Sequence, residues 1–350
     1  MNANNKNLEG TNKKQLKKRN RFLIILLILV AFIITQTLIT KHGSKKAATP
    51  ETAYPAAKPV DSLWRGKKES QIITSTDSGR LIKYGHELIS NTSYYLGPRG
   101  KVARISNGMN CQNCHLFGGT SPYAGNFGKV YANFPQFRAR NNGLQSIYDR
   151  INDCFERSMN GKAMDRSTKE MRALYAYFKW IGEEVPKGEK PAGTVTIKLK
   201  YMDVAADPVA GRKVYMANCQ VCHGNQGQGM LKEDKTGYTF PPLWGADSFN
   251  DGAGMYRVST LAAFVKVNMP FGTNYKNPKL TDKEAWDVAA FINSQPRPHK
   301  DQSMDWKDIR KKPIDYPWGP YPDTFSEKQH KYGPFQPIKD FQDSKTKTQT

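Results

Sequence analysis

Cysteine is scarce in this chain, with five among 350 residues, and the placing of four of them argues against the usual structural uses. Cys111 and Cys114 form one Cys-x-x-Cys pair, and Cys219 and Cys222 form another 108 positions further on. A zinc ribbon keeps its two pairs within about 15–20 residues of each other, and a plain disulfide has no need of the histidine that follows each pair here. Acidic residues are also few, 31 against 53 lysines and arginines, which leaves a formal net charge of +22. That imbalance invites nucleic acid, an anionic membrane, an acidic protein or an anionic substrate. No recognised nucleic-acid module is present, and the lysines are spread along the two ends of the chain, so nucleic acid is excluded. Apolar residues make up 38% of the chain and aromatics 11%, enough to build ordinary cores and too many for a disordered chain. The length favours two domains.

One long apolar run says where the protein lives. Residues 12–21, NKKQLKKRNR, carry six basic side chains, and an uninterrupted apolar run follows from Phe22 to Ile34, extending less cleanly to Ile39. Thirteen residues suit a signal-peptide core, and eighteen reach the lower limit for spanning a bilayer. No small-x-small cleavage site follows promptly, so residues 22–40 read as an uncleaved anchor, with a cleaved signal as the alternative. The basic flank is heavier before the run. Residues 1–21 therefore belong in the cytoplasm and everything after about 40 outside the cytoplasmic membrane, on its periplasmic or exterior face. Residues 41–75, with Ala, Pro, Lys and Thr prominent, read as a tether.

Outside the cytoplasm, Cys-x-x-Cys-His has a particular meaning. Two thiols three positions apart on one helical turn can both add to the vinyl groups of a haem, and the adjacent histidine then lies under the iron. Cys111-Gln-Asn-Cys114-His115 and Cys219-Gln-Val-Cys222-His223 each predict one covalently bound haem c. The surroundings predict a mainly α fold with two cytochrome c-like haem domains in tandem behind the N-terminal membrane-targeting helix. In the second domain Asp207 is placed as N-cap with Pro208 at the first helical position, and Val209, Gly211, Val214 and Tyr215 form one packing face. Its closing helix has Thr281 and Glu284 as a capping box, a stripe of Ala285, Val288, Ala289 and Ile292, and Pro296 as the stop. The first domain repeats the plan with an opening helix over SGRLIKYGHELIS and a closing helix capped by Ser167 and Glu170. The boundaries read 76–186 for the first domain, 187–205 for a linker, 206–297 for the second domain, and 298–350 for a C-terminal extension. That extension is expected to wrap both domains in extended form and to fray over its last eight residues.

Cys154 is the cysteine left over. A single-haem domain generally brings a sixth iron ligand from a loop ahead of its last helix, and in the second domain that ligand is Met269, twelve residues before Thr281. The same count back from Ser167 reaches position 155, one residue from Cys154. Met159, Met164 and His86 are the alternatives for the first iron, and Met230 and Met255 for the second, while His42, His299 and His330 are expected at the surface. A thiolate lowers the potential of an iron and a thioether raises it, so electrons are expected to run from the first haem to the second. A sulfur that can leave the iron is also a nucleophile toward another sulfur atom. Arg138, Arg140 and Arg150 precede Cys154 within sixteen residues, and Arg157 follows it. Their planar forks suit a sulfonate-like oxyanion, with haem propionates or Asp149, Asp153 and Glu156 as alternative partners.

Several stretches together resemble a known family. YGHELISNTSYYLGPRG, MNCQNCHL, NFPQFRARNNG, RINDCFERSMNGKAM, the second haem segment and YGPFQPI are similar to the dihaem thiosulfate dehydrogenases, over residues 76 to about 340. The first domain of that family resembles the haem subunit of the bacterial sulfur-oxidising complex. The resemblance implies coupling of two thiosulfates into tetrathionate with release of two electrons, a reaction some members run better in reverse. It implies Cys154 as distal ligand and site of a transient sulfur adduct, Arg140 and Arg150 as the anion clamp, and Ser158 in the pocket. Some members place a lysine just before the methionine ligand. Asn268 stands there in this chain, which argues for Met269 in both redox states. The electron acceptor is expected to be another cytochrome or a terminal oxidase. The anchor departs from the soluble members of the family. A dihaem electron carrier without substrate chemistry, and an enzyme conjugating sulfur to a carrier protein, are the competing functions; the first needs neither Cys154 nor the arginines, and the second needs a carrier cysteine.

Overall fold

The computed structural model describes residues 63–347, and the expected membrane segment, residues 22–40, lies outside the described residues. The helices longer than five residues are α1 (Asp77–Ser90), α2 (Ile147–Asp153), α3 (Lys169–Gly182), α4 (Pro208–Asn218), α5 (Val258–Asn268), α6 (Asp282–Ser294), α7 (Glu327–Tyr332) and α8 (Gln336–Lys347). Two short antiparallel hairpins accompany them, β1 (Gln136–Arg138) with β2 (Gly143–Gln145) and β3 (Met230–Leu231) with β4 (Tyr238–Phe240). Among the described residues no helix is long and apolar enough to cross a membrane.

The two modules share one device. In each, the first helix crosses the last at a glycine, because a side chain there would collide with the partner's backbone. A Cβ on Gly85 of α1 would sit 2.1 Å from the Ala173 carbonyl oxygen of α3, and one on Gly211 of α4 would sit 1.9 Å from the Asp287 carbonyl oxygen of α6. Around these crossings Leu88, Ile89, Met171, Leu174 and Phe178 form the first core, and Tyr215, Trp286, Val288, Ala289 and Ile292 the second. Asp207 caps α4 by accepting from the Val209 N–H, and Thr281 with Glu284 form the reciprocal box of α6. Two local expectations are corrected. α3 is capped by Thr168, whose side chain accepts from the Met171 N–H; Ser167 bonds Asp165 instead, and Glu170 accepts from the Tyr84 hydroxyl. Val209 is 74% exposed, since it lies in the first turn of α4, beyond the crossing.

The modules are not beads on a string. Residues 63–347 lie within one compact unit, and Phe249, Ala253 and Tyr256 of the second module pack into the first core. The same segment docks on the turn after α2: Asn250 donates from its side chain to the Glu156 carbonyl at 2.8 Å, and Arg157 donates to the Gly252 carbonyl at 3.2 Å. The C-terminal extension reaches both modules. Asp305 pairs with Arg157 at 2.8 Å and the Trp306 N–H donates to the Arg140 carbonyl at 2.8 Å, while Asp315 pairs with Arg257. Its end departs from expectation, because α8 runs to Lys347 with Ile338 fully buried. His330 is also corrected from surface to core. It is 1% exposed, held between the Ile314 carbonyl and Asp323, and stacked on Tyr321. His299 is exposed and pairs with Asp251, and His42 lies outside the described residues.

Candidate functional site: two Cys-x-x-Cys-His motifs and an arginine-lined cavity

The first motif opens as a tight turn. The Asn110 and Asn113 side chains cap it reciprocally, and the His115 N–H returns to the Cys111 carbonyl at 3.0 Å. His115 then turns its ring so that Nδ1 meets the Gly125 carbonyl. Gly125 has φ +62, and a Cβ on it would approach His115 Nδ1 to 2.7 Å, so the seat of the ring requires glycine. With Nδ1 occupied, Nε2 is the nitrogen left to bind a metal. The second motif uses the same device: His223 Nδ1 meets the Pro241 carbonyl at 2.8 Å, and Cys219 packs on the second core. No disulfide joins any of the five cysteines.

A cavity of about 280 Å³ lies against the first motif, walled by Cys111, Cys114 and His115 on one side and by Phe127, Leu174 and Phe178 as its apolar lining. Two thiols, an oriented imidazole and apolar walls are the donor set and surroundings that a covalently bound haem requires. Cys154 lines the same cavity as the motif. α2 delivers it. Ser146 and Asp149 form the capping box of that helix, and after Asp153 the backbone widens into a π turn in which the Met159 N–H reaches the Cys154 carbonyl at 2.9 Å. Such turns are frequent at functional sites, and this one brings Cys154, Ser158 and Met159 to the same cavity.

The thiols around this cavity differ. Burial pushes Cys111 and Cys114 up to about 12. Burial would raise Cys154 too, but the Arg150 cation and hydrogen bonds from His115 and Arg150 outweigh it and bring the thiol down to about 6. Arg150 Nη1 donates to Cys154 Sγ at 2.8 Å, a charge-assisted contact across one helical turn. Arg150 thus favours the ionised form of Cys154, the form that acts as nucleophile or ligand.

All four arginines line the cavity, in different states. Arg140 pairs with Asp153 at 2.5 Å, and Arg157 is buried against Asp305 at 2.8 Å. Asp149 is engaged by Ser146 and Arg166 instead. Arg138, which the sequence did not single out from its neighbours, pairs with no carboxylate among the described residues.

The competing ligands separate by position. Met159 lines the cavity, whereas Met164 does not; it is held at its backbone by Asn152. His86 lines a larger cleft of about 690 Å³ with Lys67, Lys83 and Phe117, which contains no cysteine, and its Nδ1 lies 3.4 Å from Glu69. In the second module Met230 is 47% exposed on β3. Met255 borders the first cavity and packs on both cores, so it stands between the modules. Met269 ends α5 and packs on the same core as Cys219.

A cytochrome c model matches residues 208–296, and a model of the SoxA/TsdA cytochrome c domain matches residues 101–186. Fold, motifs and matches define a c-type cytochrome with two covalently bound haems. The chain is 36% identical over 251 residues to the thiosulfate dehydrogenase of Psychrobacter arcticus, covering 69% of this chain and 73% of that one. It is 42% identical over 224 residues to the thiosulfate dehydrogenase of Allochromatium vinosum, covering 63% and 79%. It belongs to the thiosulfate dehydrogenase family. Among solved structures it is similar to the thiosulfate dehydrogenase (TsdBA) of Marichromatium purpuratum in its as-isolated form, with a TM-score of 0.62 and 31% identity over 68% of this chain; it spans half of that chain's length.

Proposed function

We propose that this protein oxidises two thiosulfates to tetrathionate at the cavity of the first module and passes two electrons out through the second. The observation that carries this reading is the Arg150 guanidinium 2.8 Å from Cys154 Sγ, in the cavity that His115 also lines. A pure electron carrier has no use for a low-pKa thiol among arginines. Cys111 and Cys114 would hold the first haem, with His115 and Cys154 as the residues able to ligate its iron; Cys219 and Cys222 would hold the second, with His223 and Met269. When bound, the haems take electrons one at a time, the thiolate-ligated one at lower potential than its thioether-ligated partner.

The chain's own residues do the rest. Thiosulfate, drawn in by the net positive field, places its sulfonate on Arg150 and on the donors of Arg140 that Asp153 leaves free, with Ser158 beside it. Its outer sulfur then bonds to Cys154 Sγ. The thiolate and the dianion become Cys–S–S–SO3⁻ as two electrons leave. A second thiosulfate attacks the sulfur attached to Sγ, the S–S bond to Cys154 breaks with its electron pair returning to Sγ, and tetrathionate departs. No proton is needed in either step, which suits a cavity whose reactive thiol is already ionised. The same steps run backwards reduce tetrathionate. We also assign residues 22–40 as an anchor holding the enzyme at the outer face of the cytoplasmic membrane, where a cytochrome or a terminal oxidase accepts the electrons.

The deciding experiment measures tetrathionate formed from thiosulfate with an artificial one-electron acceptor, using haem-loaded protein and its Cys154→Ala variant side by side. Activity is expected in the first and none in the second, with both haems retained. Turnover in neither protein and in neither direction, with both haems still reducible, would overturn the reading in favour of an electron carrier.

A further inference from the structure

On the proposed mechanism two dianions meet at one sulfur, and the four cavity arginines are not equally free to receive them. Arg150 is committed to Cys154, Arg140 shares its charge with Asp153, and Arg157 is held by Asp305 and by the Gly252 carbonyl. Arg138 remains. It lines the same cavity from β1, two residues before Arg140, and among the described residues no carboxylate lies within ion-pair distance of it. A half-buried cation facing other cations is costly unless an anion joins it. Burial, and then Arg150 and Arg140, work against its charge, and Asp153 and Cys154 offset them only in part. Lys129 adds to this positive field: its ammonium is likewise disfavoured by burial and then by Lys190, Arg150 and Arg138.

Resting on the reading above, we propose that Arg138 binds the sulfonate of the second thiosulfate, which becomes the distal sulfonate of tetrathionate. Arg150 serves the dianion that bonds to Cys154, and Arg138 positions the one that removes it. The step it serves is Cys–S–S–SO3⁻ plus S2O3²⁻ giving Cys–S⁻ plus S4O6²⁻. One S–S bond forms and one breaks, the electron pair of the broken bond returns to Cys154 Sγ, and no oxidant is consumed. Loading of Cys154 and its discharge therefore depend on different arginines.

The test separates these two steps on the haem-loaded protein. Cys154 is loaded with one equivalent of thiosulfate and two of ferricyanide, which take the two electrons released, then quenched in acid and read by mass spectrometry of its peptide as an added S2O3 unit. The loaded protein is then chased with rising thiosulfate and the remaining adduct measured. Arg138→Gln is expected to load like the native protein but to need on the order of tenfold to a hundredfold more thiosulfate for half-discharge, the usual effect of losing a charge-assisted contact. Arg138→Lys, which keeps the charge and loses the fork, is expected to fall between. An unchanged discharge curve in Arg138→Gln with both haems bound overturns the assignment, as does an equal loss of loading and discharge. Failure of the native protein to form any adduct would instead overturn the Cys154 mechanism itself, and the assignment of Arg138 with it.

Discussion

Arg150 is where one residue has the largest consequence. Its guanidinium touches Cys154 and is the leading influence that offsets burial and keeps that sulfur ionised. Charge-assisted hydrogen bonds are worth about 1.5–3 kcal/mol, so Arg150→Ala is expected to lower kcat/KM for thiosulfate roughly tenfold to a hundredfold while both haems remain attached. Steady-state kinetics of the variant check this, and unchanged kinetics would remove Arg150 from the clamp. Arg150 was legible in the sequence because it precedes Cys154 by four positions, one helical turn. The distinct states of the other arginines were not legible. Asp305 is 148 positions from Arg157, and no local pattern announces that partnership.

Among the elements, α2 has the most to carry, since it bears Arg150 and delivers Cys154. It is short, and its start depends on Asp149, which accepts from both the N–H and the hydroxyl of Ser146 at 2.8 Å. Burial pushes the Asp149 carboxyl up, but these hydrogen bonds and Arg166 more than offset it and hold it below the usual carboxylate range. A carboxyl depressed on folding stabilises the native state above its unfolded pKa of about 4 and loses that contribution as pH falls through the lower folded value. The thermal midpoint of the native protein is therefore expected to fall more steeply below about pH 4 than that of Asp149→Asn; parallel acid limbs in far-UV circular dichroism melts would refute it. The closing helix of the first module shows how element boundaries escape a sequence reading. Ser167 and Thr168 are both good caps, and the choice fell on Thr168 because Asp165 captures Ser167 and Tyr84, on α1, captures Glu170.

At the scale of the whole molecule, the C-terminal extension locks the first module from outside. Asp305 and Arg157 are each about 8% exposed at the side chain, and removing one partner of a buried pair leaves the other charge stranded. Asp305→Ala is expected to cost about 3 kcal/mol, near the lower end for such pairs because the Gly252 carbonyl still receives Arg157. It should also open residues near 305 to proteolysis. Denaturant unfolding and limited digestion check both, and an unchanged midpoint with no new cleavage would show that the extension only lies alongside.

The sequence by itself determined the two haem-attachment motifs, the opening and closing helix of each module, and the odd cysteine with an arginine one turn before it. Each of these depends on residues a few positions apart, or on apolar periodicity that follows from helix geometry. Tertiary structure alone decided that Cys154 and His115 line one cavity, that Met255 lies between the modules, that His330 is core, and that, among the described residues, Arg138 is the cavity arginine with neither a carboxylate nor the Cys154 sulfur as partner. Those outcomes depend on which distant segments come together. Burial and charge pairing are properties of the assembled surroundings, and a list of neighbours along the chain does not contain them.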